Sequence, residues 1–129
     1  MLPFTIALRA GEPIIEQVVY AVTRAIATRQ LQAGDPFPSV RALSQALKIN
    51  PNTAHKIVSL LIDDGFLEVR PGIGTVIARP RSTAPAERRV VLDRDAERLV
   101  VDARNSGLSL QDVLQVIRRH WARMVRRAS

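Results

Sequence analysis

The chain has 129 residues, 47% of them hydrophobic, and carries a formal net charge of +7. That composition supports a packed core, is far too apolar for a disordered chain, and fits a polyanionic partner. The absence of cysteine excludes disulfides, thiolate metal sites and cysteine nucleophiles, and an aromatic content of 4% gives no stacking platform for single-stranded nucleic acid.

The opening residues, MLPFTIALRAGEP, lack the basic start and long apolar run of a signal peptide, and residues 4–8 read as a brief extended segment. No apolar stretch approaches the roughly 18 residues that span a bilayer, so a cytoplasmic protein without membrane contact is expected. Pro13 suits a first helical turn and Glu16 favours the positive end of the helix dipole. Ile14, Val18, Val22 and Ile26 recur at helical spacing, predicting a first helix that continues to Leu31 and stops before Gly34-Asp35-Pro36.

Ser39 precedes a second helix that turns Val40, Leu43 and Leu47 inward and Arg41, Gln45 and Lys48 outward. Asn50 is a good N-cap and Pro51 a good first residue for a third helix, running to about Asp64 with Ala54, Ile57, Val58 and Leu61 buried. Gly65 closes it in the left-handed conformation. Residues 66–70 alternate as a strand, Pro71-Gly72-Ile73-Gly74 turns, and Thr75-Val76-Ile77 returns.

Residues 79–87, rich in Pro, Ser and Ala, read as a linker between a first domain over 1–78 and a tail over 88–129. Within the tail, Leu92, Ala96, Leu99, Val100 and Ala103 form the stripe of a fourth helix that stops at Gly107. Ser109 and Asp112 have the spacing of a capping box, although Glu or Gln is the usual partner. Behind them Leu110, Val113, Leu114, Ile117, Trp121 and Met124 give the fifth helix its apolar face. The fold class is mainly α with one small β-hairpin.

Charge is unevenly spread. Up to Ala78, seven Lys/Arg face six Asp/Glu, a net of +1, whereas from Arg79 onward twelve arginines face six acids, a net of +6.

A helix, a tight turn, a second helix and a glycine-tipped hairpin, in the order found over residues 34–77, are the parts of a winged helix-turn-helix. The run from Pro13 to Ile77 resembles the DNA-binding domain of GntR-type bacterial transcription regulators. The matching motifs are PIIEQV, LQAGDPFPSVRALSQAL, NPNTAHK and GFLEVRPGIGTVI, which together cover about half the chain. The NPNT opening and the short two-helix tail are similar to the YtrA-like subfamily. The resemblance implies a homodimer bound to a palindromic double-stranded operator, usually as a repressor, with no cofactor. Phe37 stands where relatives usually have Leu, Ile15 where Tyr is frequent, and Pro51 and His55 where many relatives carry arginines.

The candidate DNA contacts follow from that layout. Arg41, with Ser39, matches the Pro-Ser-x-Arg motif of the family, and an arginine there bonds phosphate or a guanine edge. Asn52, Thr53, His55 and Lys56 occupy the first turns of the recognition helix, about 51–64, where base edges or adjacent phosphates are usually met. Their spacing spreads them round the helix, so all four are not expected to face bases together. Asn50 is expected chiefly as a cap with a phosphate contact open to it. In the wing, 66–77, Gly72 and Gly74 permit a tight tip and Arg70 supplies charge. His55 and His120 lack a third ligand at metal-binding spacing, so no metal is expected.

Two amphipathic helices of this length do not readily bury both apolar faces against each other. Leu99, Leu110, Leu114, Ile117 and Trp121 are therefore expected at a dimer interface. Arg118, Arg119, Arg123, Arg126 and Arg127 form a basic end, by default a solvated face. No paired carboxylates, nucleophile–base set or metal-ligand spacing indicates an enzyme. The competing reading is an architectural DNA-binding or protein-interaction module without operator specificity. A small-molecule effector would need the dimer crevice or a pocket that the sequence does not reveal.

Overall fold

Seven elements follow in order: α1 (Ile14–Ala27), α2 (Val40–Leu47), α3 (Pro51–Asp63), β1 (Leu67–Arg70), β2 (Gly74–Ile77), α4 (Ala86–Asn105) and α5 (Leu110–Arg126). They belong to a computed structural model that describes residues 2–79 and 86–126. Contacts divide the chain into two units, one up to Pro80 and the other from Arg81. Most of the linker expected over 79–87 lies outside the described residues, but Ala86 and Glu87 are already helical.

The first unit is built round α1, α2 and α3. Val18, Val22 and Ala25 of α1, Leu43 of α2, and Ala54, Ile57, Val58 and Leu61 of α3 share one core with Leu67 and Ile77 of the hairpin. Burying each such Val, Leu or Ile side chain contributes about 1.5–3 kcal/mol before chain entropy is subtracted. The stripe on α3 is the one its spacing predicts, and it fixes which face of that helix is left outside.

α1 stops at Ala27, short of the expected Leu31. The Thr28 hydroxyl donates to the carbonyls of Arg24 and Ala25 at 3.0 and 3.3 Å, and Arg29 takes a left-handed φ of 58°. Leu31 N–H then donates to the Ala25 carbonyl at 3.0 Å, and its side chain turns back into the core. Leu31 is thus buried as its apolar character requires, but from a turn and not from a helix.

Residues 4–8 form no strand. Phe4 is buried and stacks on Phe37, ring centroids 6.0 Å apart. Gln17 secures this N-terminal arm: its amide donates to the carbonyls of Arg9 and Glu12, and its Oε1 accepts from Arg9 N–H at 2.7 Å.

β1 and β2 pair antiparallel, Leu67 opposite Ile77 and Arg70 opposite Gly74. Pro71 and Gly72 occupy the centre of the turn, Gly72 at φ 77°, and Ile73 N–H donates to the Arg70 carbonyl at 3.0 Å. Pro followed by a positive-φ Gly is the signature of a type II turn. The breaker cluster does more than break. Gly34 N–H donates to Ile77, Ile77 N–H to Asp35, and Phe37 N–H to Thr75, at 2.8–2.9 Å. The segment leading into α2 is thereby pinned along the free edge of β2, which couples the helices to the wing.

In the second unit, α4 ends in a Schellman motif. Leu108 N–H donates to the Ala103 carbonyl and Gly107 N–H to that of Arg104, with Gly107 at φ 75°. The capping box at α5 is real despite its short acid. Ser109 N–H donates to Asp112 Oδ2 at 2.9 Å, and Asp112 N–H to Ser109 Oγ at 3.1 Å. Donation to the Asp112 carboxylate, first from the Ser109 backbone N–H and then from the Ser109 side chain, holds that carboxyl below its ordinary value of 3.8, although the group is exposed. Of the α4 stripe only Ala103 is buried within the chain; Leu92, Leu99 and Val100 are exposed. Among the described residues no helix is long and apolar enough to cross a membrane.

Candidate nucleic-acid interface

The helix-turn-helix is held by its caps. Ser39 Oγ accepts from Ala42 N–H at 3.1 Å and starts α2. α2 ends on Lys48 in the left-handed conformation, φ 56°, with Ile49 N–H donating to the Ser44 carbonyl and Ser44 Oγ donating to the Ile49 carbonyl at 2.7 Å. Asn50 Oδ1 then accepts from Asn52 N–H at 2.8 Å, and Pro51 takes the first position of α3. Each residue of the short turn has its own part: Lys48 stops α2, Ile49 packs partly against the core, and Asn50 caps α3.

At about 100° per residue, the buried Ala54, Ile57, Val58 and Leu61 define one side of α3, and Asn52, His55 and Lys56 fall together on the other. All three are exposed, whereas Thr53 sits a quarter-turn away and is half-buried. The expectation that the four residues spread round the helix is corrected to this extent: three share a face. Ser59 shares it too, and sequence reasoning passed it over. The signal was available in the spacing 52, 55, 56, 59, which repeats the i, i+3, i+4, i+7 pattern on the polar side.

Arg41 is exposed on α2, and among the described residues neither it nor Lys56 is engaged in an ion pair within the chain. The first turn of α3 contains no acidic residue to oppose an approaching phosphate. Arg70 differs. Its guanidinium donates to Glu68 Oε1 through Nε at 3.1 Å and Nη2 at 2.8 Å, so a phosphate at the wing must compete with that carboxylate. At the tip, Gly72 and Gly74 have φ of 77° and 112°, and between them Ile73 points an apolar side chain into solvent at 71% exposure.

Of the residues expected at a dimer interface, Leu110 and Trp121 are 69% and 73% exposed in the single chain, Leu99 and Ile117 about two-fifths exposed, and Leu114 half-buried. Between α4 and α5, Leu99, Ala103, Val113, Val116 and Ile117 line an open, mainly apolar cleft of about 370 Å³.

Comparison with known proteins bears on the same segment. Residues 14–77 match the model of the family described as bacterial regulatory proteins, gntR family. The chain is 29% identical to the HTH-type transcriptional repressor YtrA of Bacillus subtilis over 111 residues, 85% of each chain. A crystal structure described as a transcriptional antiterminator from Listeria monocytogenes shares the fold, with a TM-score of 0.77 at 22% identity, covering 95% of this chain and 92% of the other. YtrA from Sulfolobus acidocaldarius, a GntR-family transcription factor, superposes with a TM-score of 0.55 at 24% identity, over 92% of this chain and 97% of its own. The family and its curated relatives are transcription regulators and not enzymes. With the cap-defined helix-turn-helix and its wing lying within the matched segment, residues 14–77 form a helix-turn-helix domain of the GntR family of bacterial regulatory proteins.

Proposed function

We propose that this regulator is a cytoplasmic repressor that binds a palindromic double-stranded operator as a homodimer, placing α3 in the major groove and the β1–β2 wing beside it. The observation that carries the reading is the outward face of α3: Asn52, His55 and Lys56 lie together opposite the buried stripe. Asn52 suits an adenine edge, Lys56 a phosphate, and His55 either a base edge or a phosphate. Arg41 supplies a further phosphate or guanine contact from α2, with Ser39, Asn50 and Thr53 at the margin of the surface. Arg70, Gly72 and Gly74 form the wing's contact, Arg70 exchanging Glu68 for phosphate.

Residues 1–78 serve as the DNA-binding domain and 88–129 as the dimerisation arm. The arm reading is supported by the apolar side chains of Leu99, Leu110, Ile117 and Trp121, exposed in one chain, together with Leu114. A second copy is the simplest cover for them, and it would set two recognition helices about one DNA turn, roughly 34–36 Å, or a multiple apart. The cleft between α4 and α5 has room for a small-molecule effector. No cofactor enters this reading.

Competition tests it. Binding to an operator fragment recovered by genomic footprinting is expected to survive a large excess of random duplex, and the footprint is expected to be two-fold symmetric. Loss of binding under that excess would replace operator reading with architectural binding.

A further inference from the structure

The charge of this chain sits where the helix-turn-helix does not need it. α4 is balanced, five arginines (88, 89, 94, 98 and 104) against five acids (87, 93, 95, 97 and 102), whereas α5 has Asp112 in its first turn and only cations after it. At 100° per residue Arg118, Arg119 and Arg123 fall within one 140° sector of α5, and Ile117, Trp121 and Met124 on the opposite side. All three arginines are exposed, and within the described residues none of them forms an ion pair. Arg118 and Arg119 also lie about two turns before the end of α5, too far for the helix dipole, which acts within the last turn, to account for them.

We infer that this arginine face of α5 is a second, sequence-independent contact for the phosphates of duplex DNA, acting in addition to the recognition helix. The inference rests on the DNA-binding function proposed above. Arginine is the side chain best matched to phosphate oxygens, because its planar fork donates two parallel hydrogen bonds and remains charged. Arg118 and Arg123 are about 7.5 Å apart along the helix axis, while B-DNA carries a charge every ~3.4 Å on each strand, so neighbouring phosphates lie within the span of the face. Residues 1–78, at a net +1, make few phosphate contacts by charge alone, and the arm supplies what they lack. An anionic membrane is the other large polyanion. It is less suited because the apolar side of α5 already contributes Val113, Val116 and Ile117 to the cleft with α4, whereas an interfacial helix needs that side for lipid.

The experiment uses the full chain and a random-sequence duplex several helical turns long, so the operator need not be known. Affinity is measured between about 50 and 200 mM salt for the wild type and for Arg118→Gln/Arg119→Gln/Arg123→Gln, with circular dichroism and sedimentation to show that fold and assembly are retained. Each lost phosphate contact lowers the slope of log K against log salt by about 0.9. Loss of all three from one subunit lowers it by about 2.7, which shrinks the change in affinity over that salt range about 40-fold. The corresponding triple lysine variant is expected to restore most of the slope. An unchanged slope in the folded glutamine variant overturns the inference and leaves the operator reading intact. A wild-type chain that binds no random duplex at any salt overturns the inference, and the operator reading then stands or falls on the footprinted fragment. Arginine-dependent binding to phosphatidylcholine–phosphatidylserine vesicles with no change in the DNA slope assigns the face to lipid, against the inference.

Discussion

Asn50 stands at the junction of folding and the proposed recognition of DNA, and two substitutions separate those roles. Its Oδ1 caps α3 through Asn52 N–H at 2.8 Å. Removing the cap with Asn50→Ala is expected to cost about 1 kcal/mol of stability, within the roughly 0.5–2 kcal/mol range of such changes. Asn50→Asp keeps an acceptor in place and adds a negative charge at the positive end of α3, a stabilisation of about 0.3–1 kcal/mol at low salt. The same charge faces the phosphates that the proposed docking brings to this end of the helix. Urea unfolding followed by far-UV circular dichroism should therefore rank Asp at or above Asn and well above Ala. Operator affinity should fall in the Asp variant by tenfold or more, about 1.4 kcal/mol. An Asp variant as unstable as Ala would overturn the capping role. An Asp variant that holds the operator as tightly as the wild type would overturn the proposed docking of this helix end.

Arg41→Ala should weaken operator binding by about 1–3 kcal/mol in a chain that remains folded, as read by mobility shift. Leu114→Asp should reduce the sedimentation mass of a dimer to that of one chain, since a carboxylate cannot be left unpaired in the apolar face of α5. Lys48→Gly should raise the stability of the first unit by up to about 1.5 kcal/mol. It removes the roughly 1–2 kcal/mol strain of a left-handed lysine at φ 56° and incurs about 0.5–1 kcal/mol of added chain entropy, which chemical denaturation would resolve. Ser109→Ala should return the Asp112 carboxyl towards its ordinary value of 3.8, followed by NMR titration. Because the folded value is lowered, the capping contribution is complete above the ordinary value and is lost as pH falls through the folded one, so the variant should flatten the acid side of the stability profile.

What the sequence disclosed was local chemistry. Asn50-Pro51, Gly65, Pro71-Gly72 and the Ser109/Asp112 pair each encode a cap or turn within a few residues, and each occurs as read. The 3.6-residue spacing on α3 fixed its buried face, and therefore its exposed one. What escaped was set across the fold. Phe4 finds Phe37 through space, and residues 34–37 pair with β2 because a strand edge happens to be open there. The early end of α1 depends on Arg29, a residue that carries no left-handed signal, with Thr28 bonding back to the preceding turn. The pairing of Arg70 with Glu68 also changes the reading of the wing, because a charge two residues away along a strand lies on the same face.

Whether α3 meets DNA with its outward face can be read directly, because the chain has no native cysteine. His55→Cys places a single thiol on that face, and Gln30→Cys places one beyond the end of α1 as a control. Alkylation is timed with and without operator DNA. Bound operator should slow modification at position 55 at least tenfold and leave position 30 unchanged. Equal rates at position 55, measured while the DNA is demonstrably bound, would mean that another surface of the protein holds the duplex.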